Sequence, residues 1–255
     1  MKRPLFYLLA SILLLASACQ DETAQEISRR SPSGEIVSPE PNNANIEGIW
    51  VLTRISNSPL ILLLDEQSFE IKRSLQVPAA LSSPEALAYD GTSLWVGGSD
   101  YDASLYELDP EDGSIVTEHA NISTSGLTYA NEHVYYSANG QLYQLGESNP
   151  LMPLELSSTS YELGDIAIAT DKVYYVSRET GRVHMKNLQT GSYLGEFNTY
   201  VYDAANLSAS AGQVQIMMPG GLYCTFNDYS GEILSAQPTG LPDVVTGFMP
   251  TSLVQ

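Results

Sequence analysis

The chain has 255 residues, 30 of them acidic against 11 basic, for a formal net charge of −19. A field of that sign repels phosphate backbones and anionic lipid, so nucleic acid is not an expected partner. Only two cysteines are present, which leaves no disulfide framework to hold the fold.

Residues 1–18 read as a targeting segment. Lys2 and Arg3 give a positive start, and residues 5–18 form an apolar run too short to span a bilayer as a helix. The run closes as LASAC at 15–19. Small residues before a single cysteine resemble the lipobox of bacterial lipoproteins. Cys19 sits where cleavage falls, which favours that reading over an ordinary secretory signal. The resemblance implies that Cys19 becomes the first residue and carries fatty acyl groups of the palmitate type. Gln20 after the cysteine resembles the outer-membrane sorting pattern of Gram-negative lipoproteins. The expected location is therefore the bacterial cell envelope, lipid-anchored, at the outer membrane. Residues 19–44 are polar and contain three prolines. Such a composition cannot bury enough apolar surface to offset ordering, so a lipidated flexible tether is expected there.

From residue 45 the pattern changes to short β runs separated by turn signals. The clearest example is residues 85–119. ALAY (86–89) ends at Asp90-Gly91, and SLWV (93–96) ends at Gly97-Gly98. SLYEL (104–108) alternates like a half-buried strand, and DPEDG (109–113) is a turn before SIVT (114–117). These four strands recur. Leu87, Leu127, Ile166, Leu207 and Phe248 mark the first strand of successive copies, 40, 39, 41 and 41 residues apart. The Asx-to-Gly turn before the fourth strand recurs as NLQTG (187–191) and NDYSG (227–231), while GESNP (146–150) departs from it.

The two ends complete each other. Residues 45–77 supply strands two, three and four without a first strand, and residues 246–254 supply a lone first strand. A repeat near forty with four strands, split between the termini, predicts an all-β fold: a β-propeller of five four-stranded blades in residues 45–255. The C-terminal strand would close the ring on the N-terminal blade. The stretches LWVGGSD and LYELDPEDGSIV resemble the blades of bacterial YncE/quinoprotein-like and glutaminyl-cyclase-like β-propellers. EALAYDGTSLW (85–95) in particular resembles the opening of the five-bladed glutamine cyclotransferases.

Candidate site residues follow from where propellers carry sites. The connections from strand four to strand one, and from strand two to strand three, share one face. Glu85, Asp165 and Asn206 precede or open first strands and are expected around the channel mouth there. Oxygen ligands from several blades suit a hard cation such as Ca²⁺, and two carboxylates suit acid–base work. Asp100 and Asp102 fall in a strand-two-to-three connection, where another blade carries Arg178. The acids of DPEDG read as turn chemistry instead. His119, His133 and His184 occupy non-equivalent positions, so a histidine metal site is not expected. Cys224 is expected to pack as a small buried hydrophobe. Two functions stay open. One is a lipid-anchored binding or scaffold module for a protein or envelope polymer. The other, implied by the resemblance, is a metal-assisted propeller enzyme of the lactonase, lyase or glutaminyl-cyclase kind.

Overall fold

A computed structural model describes residues 46–253 except 56–57, 101–102, 155–162, 201–205, 219 and 242–244. Cys19, Asp102, the targeting segment and the tether lie outside the described residues. Twenty strands form five four-stranded antiparallel sheets, arranged as the blades of a propeller. Blade 1 is the split one. Its innermost strand is β20 (Val245–Pro250), followed outward by β1 (Ile49–Ile55), β2 (Ser58–Leu64) and β3 (Ile71–Gln76). β20 and β1 pair from Ile49↔Pro250 to Thr53↔Val245, which joins the two ends of the chain in one ladder. Gly48 N donates to Thr251 Oγ1, and Thr251 N donates to Gly48 O, fastening the same corner.

The other blades are continuous. Blade 2 holds β4 (Pro84–Tyr89), β5 (Leu94–Gly98), β6 (Leu105–Leu108) and β7 (Ile115–His119). Blade 3 holds β8 (Gly126–Ala130), β9 (His133–Ala138), β10 (Gln141–Gln144) and β11 (Met152–Pro153). Blade 4 holds β12 (Leu163–Ala169), β13 (Lys172–Ser177), β14 (Arg182–Asn187) and β15 (Tyr193–Asn198). Blade 5 holds β16 (Ser208–Ser210), β17 (Gln213–Met218), β18 (Leu222–Asn227) and β19 (Ile233–Pro238). The short β11 follows from GESNP, where the turn device of the other blades is missing.

Alternating side chains of each blade pack against the next blade, so the core lies between blades rather than inside one. Trp50, Leu52 and Leu63 of blade 1 meet Leu87, Leu94 and Tyr106 of blade 2. Tyr174, Val176 and Phe197 of blade 4 meet Val214, Cys224 and Phe226 of blade 5. Cys224 is wholly buried there, and burial pushes its thiol pKa up.

The turns before the outer strands are built alike. Gly113, Gly191 and Gly231 each donate their amide to the residue four earlier, at 2.9 Å, and each has positive φ. In blade 1 the sequence hid the same device, because Phe69 stands at the glycine position with φ 57°. Phe69 N donates to Asp65 O, and the ring is buried against Tyr223 at a centroid distance of 5.9 Å. That packing offsets the cost of a left-handed phenylalanine.

Strand direction defines two faces. The lower face carries the turns from strand one to two and from strand three to four. The upper face carries the connections from strand two to three and from strand four to the first strand of the next blade, and the described candidate residues lie on that side.

Candidate functional site

The innermost strands β20, β4, β8, β12 and β16 line the channel and touch their neighbours around the ring. An innermost strand has one edge without a ladder, so its inward backbone groups need other partners. Asp165 meets that need for three blades at once. Its Oδ1 accepts from the amides of Leu127 (3.1 Å) and Ile166 (2.8 Å), and its Oδ2 from the amide of Leu207 (2.9 Å). Leu127, Ile166 and Leu207 are corresponding positions of blades 3, 4 and 5. One carboxylate thus clasps the same amide in three successive blades.

The clasp requires close approach. A Cβ on Gly126 would lie 2.7 Å from Ile166 N and 2.8 Å from Asp165 Oδ1. A Cβ on Gly247 would lie 2.9 Å from Leu87 N, on the other side of the ring. Asp165 has no exposed surface. Burial pushes its pKa well above the ordinary value, against the three amides and the nearby Arg178, which favour the charged form.

Asn206 plays a related part. Its Nδ2 donates to Met217 O (2.7 Å) and to Val245 O (3.0 Å), and its Oδ1 accepts from Met217 N (2.7 Å). Every functional atom of this buried amide is therefore spent on holding β17 and the closing strand β20. Asp100 ties its own connection down: its Oδ2 accepts from Ser82 Oγ (2.5 Å) and Ser83 N (3.1 Å).

Glu85 and Arg178 differ from these. Arg178 leaves the end of β13 in blade 4 and reaches past blade 3 to Glu85 on β4 of blade 2. Its Nη2 lies 3.0 Å from Glu85 Oε2. Both side chains are partly exposed. Arg178 Nε is buried and has no hydrogen-bond partner among the described residues. Of the residues the sequence nominates, Glu85, Asp165 and Arg178 converge at the mouth, while Asn206 and Asp100 act in the framework around it.

The donor set expected for a hard cation is otherwise engaged. Asp165 points its oxygens at amides, and Glu85 is paired with a guanidinium. Among the described residues no three His, Cys, Asp or Glu side chains come together as metal ligands would. The histidines sit in three different blades. His184 is buried, stacks on Tyr175 at 5.2 Å and places Nδ1 3.1 Å from Glu196 Oε2. Burial lowers its pKa.

One polar cluster has no counterpart in the sequence reading. On the lower face, Asp228 Oδ2 of blade 5 accepts from Lys172 Nζ (2.6 Å) and Tyr174 Oη (2.7 Å) of blade 4. Burial raises the Asp228 pKa, but these two bonds outweigh it and leave the carboxyl below its ordinary value. Burial, and then the bond to the Asp228 carboxylate, push the Tyr174 phenol far up. Lys172 and Asp228 stand 56 residues apart, and only the blade repeat could have suggested the pairing.

No protein-family model matches the sequence, and no curated protein matches it. Solved structures do match in shape. A nidogen/laminin complex aligns with a TM-score of 0.55 at 13% identity, covering 79% of this chain and 80% of that one. BamB from Moraxella catarrhalis aligns with a TM-score of 0.37 at 22% identity, covering 77% and 60%. The WD40 β-propeller domain of Doa1 aligns with a TM-score of 0.45 at 12% identity, covering 78% and 68%. These likenesses concern the propeller fold.

Proposed function

We propose that this protein is a bacterial cell-envelope lipoprotein, held at the outer membrane through an acylated Cys19. Its propeller is a binding or scaffold module that receives a protein or an envelope polymer on the upper face. The lipobox-like LASAC and the following Gln20 support the anchor. The binding reading rests on one observation: where Asp165 and Asn206 are buried and bonded to backbone, the Glu85–Arg178 pair keeps about a fifth of each side chain exposed to solvent (22% and 21%), with the Arg178 Nε lacking a partner among the described residues. A paired guanidinium and carboxylate bridging two blades offers a partner both a donor fork and an acceptor at one point. The propeller resemblances to YncE-like and glutaminyl-cyclase-like proteins support the architecture of such a platform. An enzyme built on Glu85 and Asp165 around an ion is the less favoured reading, because both Asp165 oxygens are occupied by amides.

The test is photo-crosslinking in intact cells from a probe at the exposed upper-face Glu179, with a lower-face probe at Tyr229 as reference. One specific adduct from Glu179, lost in Arg178→Ala, supports the binding face. Adducts from Tyr229 alone, or adducts indifferent to Arg178, overturn it. Separately, Cys19→Ala releases the protein from the membrane fraction if the anchor is right.

A further inference from the structure

Ten large apolar side chains are exposed among the described residues, and eight of them stand at or beside the first residues of the outer strands. Ile71, Ile115, Tyr193 and Ile233 all stand two residues after the positive-φ turn residue, and each begins the outer strand of its blade. Their registers correspond: they pair with Leu64, Leu108, Lys186 and Phe226. The residue after them is also apolar and exposed in three of the four blades. Blade 3 contributes Leu151 just before β11. These side chains are 44–58% exposed. The rim of the lower face therefore bears apolar side chains from all five blades.

Scattered apolar residues need no explanation, but a belt at the starts of the outer strands around a ring is a different observation. A protein partner of ordinary size covers one or two blades. A flat partner meets all five together.

The chain's own topology says which way that rim faces. β20 runs from the upper face down, and β1 starts where it ends, at Ile49↔Pro250. Ile46 and Gly48 therefore enter the propeller on the lower face, on the side of the apolar rim. Cys19 precedes Ile46 by 27 positions. At ~3.5 Å per residue that length keeps the propeller within on the order of 90 Å of the anchor point. A weak contact that could not recruit a free protein is enough to orient one already held.

We infer that the lower rim rests on the bilayer to which the chain is anchored, which turns the Glu85–Arg178 mouth outward from the lipid. This rests on the lipid-anchor reading of Cys19. The chemistry of the surface is also set. Asp109, Glu111 and Asp112 crowd the turn next to Ile115 and Glu232 adjoins Ile233, while Asp65 is ion-paired with Lys72 beside Ile71 and Lys186 lies opposite Tyr193, so acids outnumber bases along the rim. Such a rim fits a zwitterionic lipid surface and is repelled by an anionic one.

The test uses the full acylated chain in phosphatidylcholine vesicles whose acyl chains carry bromine. Cysteines replace Ile115 or Ile233 on the rim, or Glu179 on the upper face, and carry a fluorophore. The native Cys224 is buried and does not label. Bromine quenching should cut the rim signals by about half or more while sparing Glu179. The variant Ile115→Ser/Tyr193→Ser/Ile233→Ser, labelled at Ile71→Cys, should keep its melting temperature and its flotation with vesicles yet lose the quenching. Equal quenching on both faces, none on either, or a rim shielded from an aqueous quencher without contact to bromine overturns the inference; the last would mean a protein covers the rim. A chain that does not float with the vesicles overturns the anchor as well. Flotation with an unquenched rim overturns the rim contact alone.

Discussion

Arg178 of blade 4 and Glu85 of blade 2 meet 3.0 Å apart over the channel mouth, from blades that are not neighbours. The pair lies on the path of anything entering from the upper face. It also sits near the buried Asp165, whose charged form Arg178 favours. The guanidinium therefore serves two carboxylates of different character, one accessible and one sealed.

That double role predicts an asymmetry. Arg178→Gln should cost more stability than Glu85→Gln, because only the first removes charge compensation for Asp165. The direct coupling in a double-mutant cycle should be small, about 0.5–1 kcal/mol, since both groups retain water contact. Urea unfolding of the two single variants and the double variant measures both quantities. Equal single costs would remove Asp165 from the account of Arg178.

Asp165→Asn replaces a carboxylate that accepts from three amides with a group holding one acceptor oxygen. At least one amide loses its partner, and the side-chain NH₂ faces a donor. The expected loss is about 2–4 kcal/mol. The pH dependence has a definite sign. The folded-state pKa is raised, so the folded state holds its proton more tightly than the unfolded chain does. The stability this group contributes is full below the ordinary carboxylate pKa of about 4 and declines as pH rises towards the raised value. The gap between wild type and Asp165→Asn should therefore be widest in acid and narrow on the way to neutrality.

Asp228 predicts the opposite slope. Its folded-state pKa is lowered, because the bonds from Lys172 and Tyr174 outweigh burial. Its contribution is full above the ordinary carboxylate pKa and is lost as pH falls through the folded value. Asp228→Asn should cost about 1–3 kcal/mol at neutral pH, with the difference from wild type closing in acid. Denaturant titrations from pH 3 to pH 8 on both aspartate variants separate the two signs.

Gly126→Ala should destabilise the ring by on the order of 2–3 kcal/mol, since the added methyl meets backbone and the Asp165 carboxylate, neither of which can move freely. Gly212→Ala is the control for packing: nothing lies within 4 Å of its Cβ position, and its cost comes from its φ of 79° alone. Thermal melts of the two variants show whether crowding at the channel exceeds simple backbone strain.

The ring was legible because its signals are local. Alternation in SLYEL and the Asx-to-Gly turns fix strands within a few residues, and their repetition supplies the number of blades. Phe69 escaped because packing against Tyr223 lets a bulky residue take the glycine position. The channel was less legible for a physical reason. Asp165 bonds to amides of Leu127 and Leu207, and every residue type except proline carries an amide N–H, so the partners leave almost no mark in the sequence. Arg178 and Glu85 stand 93 residues apart, and only closure of the ring brings them together. Apolar pairs such as Ile233-Leu234 read as core in a strand pattern. Their exposure depends on lying in the outermost strand, where no further blade covers them.

The corner where β1 meets β20 governs how the propeller bears a pull. Tension on the segment ahead of Ile46 enters at Ile49, the first residue of a strand bonded on both flanks, to β20 and to β2. The load falls along two ladders in shear, many bonds resisting together, rather than peeling an edge one bond at a time. A molecule tugged between an anchor and a partner would yield last at the point where the tug arrives.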